Sequence, residues 1–502
     1  MKKLFVLSLL ILAFAATAYS QPKLDFRASG FISMTTYVDQ WNLSNQVSGR
    51  PGIVNVVTAN QKPGGAEFNK TMSYVESRAR LKFDAIMGKE LTGTIFFEAD
   101  SATWGDTSAS FGSVSKNRYG VWGGDRPDLE VKNIYVDAAV PYIPVPITFR
   151  AGLQPYGVRS NMFMYTDGTG ITAAAKVDPF TIIGMWAKAL EGRLANSDDV
   201  DIYGGHINAK VDTLTLGGYG MYFRMRTYPL SAVTATTPYG FSADLSSNMW
   251  WLGAYADGKL GPLMLNFDFV YDTGDVKSKS GLPKVKYSGW ASRLKLDFPW
   301  EAFNFGVVGH YGSGADLRKT DQFGVPGAAV SDPVYAGAGA VSTRVSSYVV
   351  PPGSETGSFS ESEVFFASYV GGGFSGFGYT GDGGRMSRGS AGGVWLAKLY
   401  GSYKVAPEFK VTLQGLYIGD TAAGGNTFGT SRNASGSLSN DSTIGWEFDM
   451  INEWQVYKNL SFKFGGGILF PGNALKFWNS TLDTNEKPDK PWAVITNMTY
   501  SF

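Results

Sequence analysis

The sequence predicts an all-β, antiparallel, up-and-down barrel that crosses a membrane with about eighteen strands, sixteen being the alternative count. Three observations predict it. Charged residues are only 17% of the 502 residues, against 14% aromatics and 63 glycines, whereas an ordinary soluble domain carries about 25% charge. No stretch of roughly eighteen apolar residues follows the first twenty positions, so any spanning structure must be a closed barrel, the one alternative to a helix that satisfies its backbone in lipid. Alternation of apolar and polar residues recurs in segments of about ten residues, the barrel signature.

The elements follow in chain order. Residues 1–20 read as a secretory signal. Lys2 and Lys3 form the positive start, Leu4 to Ala16 an apolar run, and Ala18 and Ser20 the small residues before a cut at Gln21. That leaves 21–502 as the barrel. Losing Lys2 and Lys3 from 44 basic residues, against 43 acidic, leaves a net charge of −1. Such a balance excludes nucleic acid as a partner, since that needs a strong basic excess. The chain has no cysteine, which excludes disulfides, thiolate metal sites, CxxCH haem attachment and a lipid anchor on an N-terminal Cys.

Strands are predicted at 24–37, 71–86, 90–100, 129–140, 146–153, 170–177, 180–190, 199–211, 213–227, 247–259, 263–272, 285–298, 301–312, 391–405, 408–419, 442–457, 460–470 and 491–502. Segment 363–370 is also strand-like and is assigned to a loop to keep the count even. Short connections such as Met87-Gly88-Lys89, Asp178-Pro179, Gly261-Pro262 and Lys458-Asn459 carry Pro, Gly and Asn, which favour turns. They alternate with long connections. With both chain ends in the periplasm, every short turn falls on that side and every long loop outside.

Alternation sorts the two faces of each strand. Glu76, Arg78, Arg80, Lys82 and Asp84 share one face of the second strand, opposite Val75, Ala79, Leu81, Phe83 and Ala85. Likewise Arg224 and Arg226 oppose Met221, Phe223 and Met225. Arg293, Lys295 and Asp297 oppose Trp290, Leu294, Leu296 and Phe298, and Glu447, Asp449 and Glu453 oppose Trp446, Phe448 and Met450. A charge facing lipid at the midplane costs about 2–4 kcal/mol, so the charged rows are predicted to line a wet lumen. Arg78, Arg80, Lys82, Arg224, Arg226, Arg293, Lys295, Glu98, Glu447, Asp449 and Glu453 are the candidate pore-lining residues. Arg27, Arg150, Lys188, Lys210, Lys398 and Lys410 are placed inside with them. The arginines at 78, 80, 224, 226 and 293 suggest a basic patch and a mild anion preference.

Aromatic residues near predicted strand ends are expected at the headgroup level: Tyr37, Trp41, Trp186, Tyr228, Trp250, Trp251, Tyr271, Trp300, Tyr417, Tyr457, Phe470 and Trp492. The longest connection, about Ser313 to Ser390, is expected to fold inward and narrow the channel. A smaller loop, 154–169, holds Arg159. His206 and His310 sit in predicted strands facing the lumen, as polar wall residues. No catalytic constellation, metal site or cofactor site is predicted, although Asp382 and Asp420 were weighed as Ca²⁺ ligands in Gly-rich loops.

The final segment, Trp492 to Phe502, places apolar or aromatic residues at alternate positions apart from Thr496 and stops on Phe502. It resembles the C-terminal signal of bacterial outer-membrane proteins, in which Tyr500 and Phe502 would be read by the barrel-assembly machinery. By signal, strand count and terminal Phe, the whole chain resembles a Gram-negative general porin. Gly445-Trp446-Glu447-Phe448-Asp449, Tyr457-Lys458-Asn459-Leu460 and Gly465-Gly466-Gly467 with Phe470, spanning some twenty-five residues within the C-terminal part, are similar to the alginate-export-like eighteen-stranded barrels. The first resemblance implies a passive, water-filled channel for ions and small hydrophilic solutes, not an enzyme. It also implies outer-membrane lipid and lipopolysaccharide as surroundings, and a homotrimer as one arrangement. The second implies a monomer exporting an acidic polysaccharide through a basic lumen, which the mixed lumen charge does not match. A barrel sheathing a cytochrome is the remaining alternative.

Overall fold

The computed structural model describes residues 24–40, 72–105, 129–192, 197–230, 245–320, 324–331, 339–354, 361–366, 386, 391–479 and 482–502. The signal segment, Trp41 and Asp382 lie outside them.

Eighteen strands form one closed ring. They are β1 (Leu24–Gln40), β2 (Met72–Met87), β3 (Leu91–Thr103), β4 (Glu130–Ala139), β5 (Ile147–Val158), β6 (Met164–Val177), β7 (Phe180–Leu190), β8 (Val200–Val211) and β9 (Leu214–Met225). The second half is β10 (Leu245–Leu260), β11 (Leu263–Ser278), β12 (Val285–Trp300), β13 (Phe303–Gly312), β14 (Val394–Ala406), β15 (Phe409–Asp420), β16 (Thr443–Tyr457), β17 (Leu460–Pro471) and β18 (Trp492–Ser501). Each pairs antiparallel with the next. β18 returns to β1 in the register Phe31↔Ser501 to Gln40↔Trp492. Reciprocal backbone bonds between Gly30 and Phe502 (2.9 and 3.0 Å) extend that seam. Closure leaves no edge strand, so every backbone group at membrane depth finds a partner.

All eighteen predicted strands are present, with shifted ends. β5 and β6 run on to Val158 and back to Met164, so the predicted 154–169 loop shrinks to residues 159–163. The short turns adopt left-handed conformations at Gly88 (φ 64°), Asp212 (φ 55°) and Gly261 (φ 61°). Glycine carries no steric penalty there, and Asp tolerates the conformation.

The outer wall is apolar at mid-height. Phe83, Ile95, Ile134, Ile171, Ile182, Ile207, Leu216, Leu252, Leu294, Phe305, Leu399, Leu413, Phe448 and Val494 are all exposed. Aromatic rings border this band. Trp186, Tyr203, Trp250, Trp290, Tyr311 and Trp446 lie toward the long loops, and Phe180, Trp300, Phe303, Tyr403, Trp454, Tyr500 and Phe502 toward the short turns. Trp290 and Trp300 are ten residues apart on β12. At ~3.3 Å per residue and a tilt of about 40°, they bracket roughly 25 Å, the height of a barrel's apolar belt.

Three of the expected interface aromatics are not on that surface. Tyr37 and Trp251 point inward and Tyr228 is covered, each fully buried. Trp251 and Tyr228 bond to Val349 and Met386 of the β13–β14 connection, and Tyr37 stacks on Tyr74 of β2.

Candidate functional site: the lumen and its two walls

One wall, β1 to β5, is polar and partly open. Residues two apart on a strand share a face, so Arg78, Arg80, Lys82 and Asp84 form a vertical row on β2 beside Arg27 on β1. Glu98 on β3 collects three cations. Its carboxylate lies 2.7 Å from Arg80, 3.4 Å from Arg78 and 3.0 Å from Lys132. Lys132 also reaches Asp167 at 2.9 Å. Lower on this wall Lys82 pairs with Asp84 at 3.0 Å. Arg150 donates twice to Asp137, at 2.7 and 3.0 Å, and lies 4.1 Å over the Tyr135 ring. The charges are almost all paired, so the row is a ladder of dipoles in which Arg78, Arg80 and Lys132 gather around Glu98.

The other wall, from β8 round to β16, is covered from inside by loops. Residues 159–163 cross the lumen from β5. The Arg159 guanidinium donates to Asp257 (2.5 Å) and to Asp268, and lies 4.3 Å over the Tyr255 ring. Phe163 stacks on Tyr219 at 5.0 Å. The β13–β14 connection meets this strap. Tyr348 Oη donates to the Met162 carbonyl (2.8 Å), and Ser354 Oγ to that of Phe163 (3.1 Å). The wall holds the same loop. Trp251 Nε1 donates to the Val349 carbonyl (2.8 Å), and the Asp272 carboxylate accepts from Val349 N (3.1 Å) and Gly289 N (3.0 Å). Gly289 is required here, because a Cβ would stand 2.3 Å from the Ser347 carbonyl oxygen.

Further along the same loop, Glu361 reaches Arg293 at 2.6 Å and Lys398 at 2.7 Å. Burial pushes its carboxyl upward, but Lys398 and Arg293 outweigh that and hold it below the ordinary carboxylate range. Glu447 accepts backbone N–H groups of Glu363 (3.1 Å), Val364 (2.8 Å) and Phe365 (2.9 Å). Asp449 accepts from Gln414 Nε2 (2.8 Å) and Glu363 N (3.3 Å). Phe365 packs edge-on against Phe366 and Phe428. Residues 344–354 and 361–366 of the long connection thus pack against inward-facing side chains of β10–β12 and β14–β16 and fill the barrel interior on that side.

The structure brings the predicted lining residues to three different places. Arg78, Arg80, Lys82 and Glu98 stand together on the polar wall. Arg293, Glu447 and Asp449 face inward but are buried as anchors of the loop. Lys295 and Glu453 face inward nearer the short turns. Lys295 pairs with Asp297 at 3.4 Å, and Glu453 with Lys463 at 3.3 Å and with Lys410.

Arg224 contradicts the prediction. It lies on the outer wall, level with Asp201 and Asn248 in the neighbouring strands, on the face of Tyr222, which stacks on the exposed Trp250 at 4.6 Å. Met221, Phe223 and Met225 are the inward residues, each 1% exposed or less. Arg226 follows the end of β9 and lies outside the wall's charged row. Lys188 is also outside, paired with Asp199 (2.9 Å) and Asp201 (3.2 Å), beside Trp186. The alternation has period two as expected, but its sign is the opposite: the apolar row faces inward, because at this height the loops make the inside apolar. The predicted patch of five arginines therefore does not exist. Arg78 and Arg80 remain, joined by Lys132, which sequence reasoning did not single out because a bulge at Phe96/Phe97 displaces it from simple alternation.

His206 and His310 both face inward. His206 bonds Tyr255, and His310 Nε2 lies 2.7 Å from the Ala391 carbonyl. Asp420 is satisfied by Thr427 N (2.7 Å), Thr427 Oγ1 (2.9 Å) and Ala422 N (2.7 Å), a brace for the loop after β15.

No family model matches the chain, and no curated protein does, so the alginate-export-like similarity has no support beyond the quoted residues. Solved structures do align. Pseudomonas aeruginosa OccK8 (OprE) has 10% identity, covering 95% of this chain and 98% of that one, with a TM-score of 0.47. A BenF-like porin from Pseudomonas fluorescens Pf-5 has 8% identity, with coverage of 96% and 100% and a TM-score of 0.49. Acinetobacter baumannii OccAB2 has 11% identity, with coverage of 95% and 98% and a TM-score of 0.48.

Proposed function

We propose that this chain is a porin of the outer membrane, a passive channel for small hydrophilic solutes, with the β1–β5 ladder as its conducting wall. The observation that carries this reading is the asymmetry of the lumen. An apolar belt wraps the outside, the inside of β8–β16 is packed with the chain's own loops, and the remaining inner wall is a row of part-exposed ion pairs. Such a row offers a hydrated solute successive polar partners without a deep trap. Arg78, Arg80, Lys82 and Glu98 line this path, with Lys295 and Glu453 below them. Arg293, Glu447 and Asp449 act indirectly, by holding the loop that sets the bore.

The near balance of charge on the ladder favours weak ion selectivity, with the part-exposed guanidinium groups of Arg78 and Arg80 giving at most a mild tilt toward anions. The path is narrowed by loops, which favours small over large solutes. An exporter of an acidic saccharide is less well supported. Among the tryptophans of the described barrel strands only Trp251 points inward, and it is buried against the loop. Residues 1–20 would serve as the export signal, and Tyr500 and Phe502, exposed on the outer face at the closing seam, as the assembly signal.

Single-channel recording in a planar bilayer under a salt gradient tests the channel reading. Steady, small openings with a reversal potential slightly toward chloride are expected. A barrel that inserts and carries no current would overturn it.

A further inference from the structure

The outer wall carries a compact basic cluster above the aromatic border, on β11, β12 and the two-residue strand Arg344–Val345 that adds to β12 in parallel. Lys286 pairs in register with both Asp275 and Arg344. Their inward neighbours Tyr287 and Val345 are buried, so Lys286 and Arg344 point outward side by side. Lys277 and Lys284 reach Asp275 at 3.5 and 3.2 Å. The Arg344 guanidinium donates to Ser288 Oγ at 2.9 and 3.3 Å. Four cations thus surround one carboxylate. Among the described residues, no carboxylate lies within ion-pair distance of Lys286 or Arg344, and both side chains are exposed.

The height of this cluster identifies what it faces. Trp290, Ser288 and Lys286 follow one another at alternate positions on the outer face of β12, and Lys284 lies just before its first residue. Trp290 stacks on Tyr311 at 4.8 Å and marks the end of the apolar belt. Lys286 is four residues further out, roughly 13 Å along a tilted strand, within side-chain reach of the headgroup layer. In lipid surroundings the groups at that level are phosphates and sugars. A phosphate takes two parallel bonds from a guanidinium, and lysines add point charge. The polar wall inside the barrel neutralises its cations almost fully, whereas here two have no acid among the described residues.

We propose that Lys277, Lys284, Lys286, Arg344 and Ser288 form a binding site for the phosphate of a lipid headgroup in the leaflet beside the long loops. That lipid is a phosphorylated glycolipid such as lipopolysaccharide, with its acyl chains on Trp290, Tyr311 and the belt below. The site rests on the membrane reading of the barrel and is independent of conduction.

The test uses the full-length, delipidated barrel in neutral detergent, with native mass spectrometry counting retained lipid A and its dephosphorylated form. Wild-type protein is expected to retain the phosphorylated form preferentially. The K286Q/R344Q pair should bind it about tenfold more weakly, as loss of two cations near an anionic surface predicts. K286R should behave as wild type, as should K458Q at the short-turn end. Equal retention of both lipids by wild type, or unchanged binding by K286Q/R344Q, would overturn the site. Displacement of lipid A by millimolar inorganic phosphate would assign it to soluble phosphate and overturn the lipid assignment. Bilayer recording of the same proteins separates the two proposals. A conducting barrel without lipid discrimination fails this one alone, and a silent barrel that binds lipid A supports it while failing the channel reading.

Discussion

The two halves of the barrel use the same strand pattern for opposite purposes. On β1–β5 a row of inward residues is charged, paired and mostly part-exposed, set beside buried Thr35, Tyr37, Asn133 and Gln154, and the outward ones are apolar and exposed. On β8–β12 near the long loops the inward residues Met221, Phe223, Met225, Met249, Trp251 and Val276 are all buried together with the Asp272 carboxylate, and other charged residues, Arg224 and Asp275 among them, lie outside. The difference teaches that inside and outside of a large barrel are not polar and apolar everywhere. Where a loop folds in, the inner wall becomes a protein core. Above the belt, the outer wall becomes a water or headgroup surface.

The comparison is most directly broken by removing the loop. Replacing residues 344–366 with a short Gly-Ser link should raise single-channel conductance several-fold. An unchanged conductance would mean that the β1–β5 side alone sets the bore. Next in size is Glu447→Ala. It removes one carboxylate that satisfies three backbone N–H groups, and each buried donor left without a partner costs about 1–3 kcal/mol. Flickering between a low and a high conductance level is expected in current recordings, against steady current in the parent.

Gly289→Val drives side-chain atoms into the Ser347 and Tyr348 backbone and should lift the loop with a similar but weaker signature. Limited proteolysis within 339–354 would detect it.

Acidification gives a graded version. Glu361 is held below the ordinary carboxylate range, so its ion pairs contribute stability that is fully present above the unfolded carboxyl value, about 4.3. That stability is lost only as pH falls through the lower folded value. The share of the loop's hold that Glu361 supplies should persist from neutral to about pH 5 and be lost only in stronger acid, so Glu361→Gln should remove a conductance rise seen below that pH and leave any change above it as in the parent. A transition near pH 6 would point to another group.

The smallest effects concern charge. R78Q/R80Q should move the reversal potential toward cations, leaving Glu98 with Lys132 alone. Arg224→Gln should leave it unchanged, because Arg224 is outside. A shift with Arg224→Gln would restore the lumen assignment and break the comparison.

The sequence by itself determined the strand positions, the turns and the lipid face wherever that face spans the belt, because period two and the high cost of a charge in lipid act locally, while it left the count open between eighteen and sixteen. The row from Arg78 to Asp84 and the closing strand with Val494, Met498, Tyr500 and Phe502 are legible this way. Only the tertiary structure decided which face is inward on β8–β10, that Arg293 and Glu447 are loop anchors, and that Arg159 straps the lumen. Alternation fixes two faces but not their sign. The sign follows from what covers each face, and here that covering comes from loops far away in sequence, whose path depends on long-range contacts such as Glu361 with Arg293 and Tyr348 with Met162.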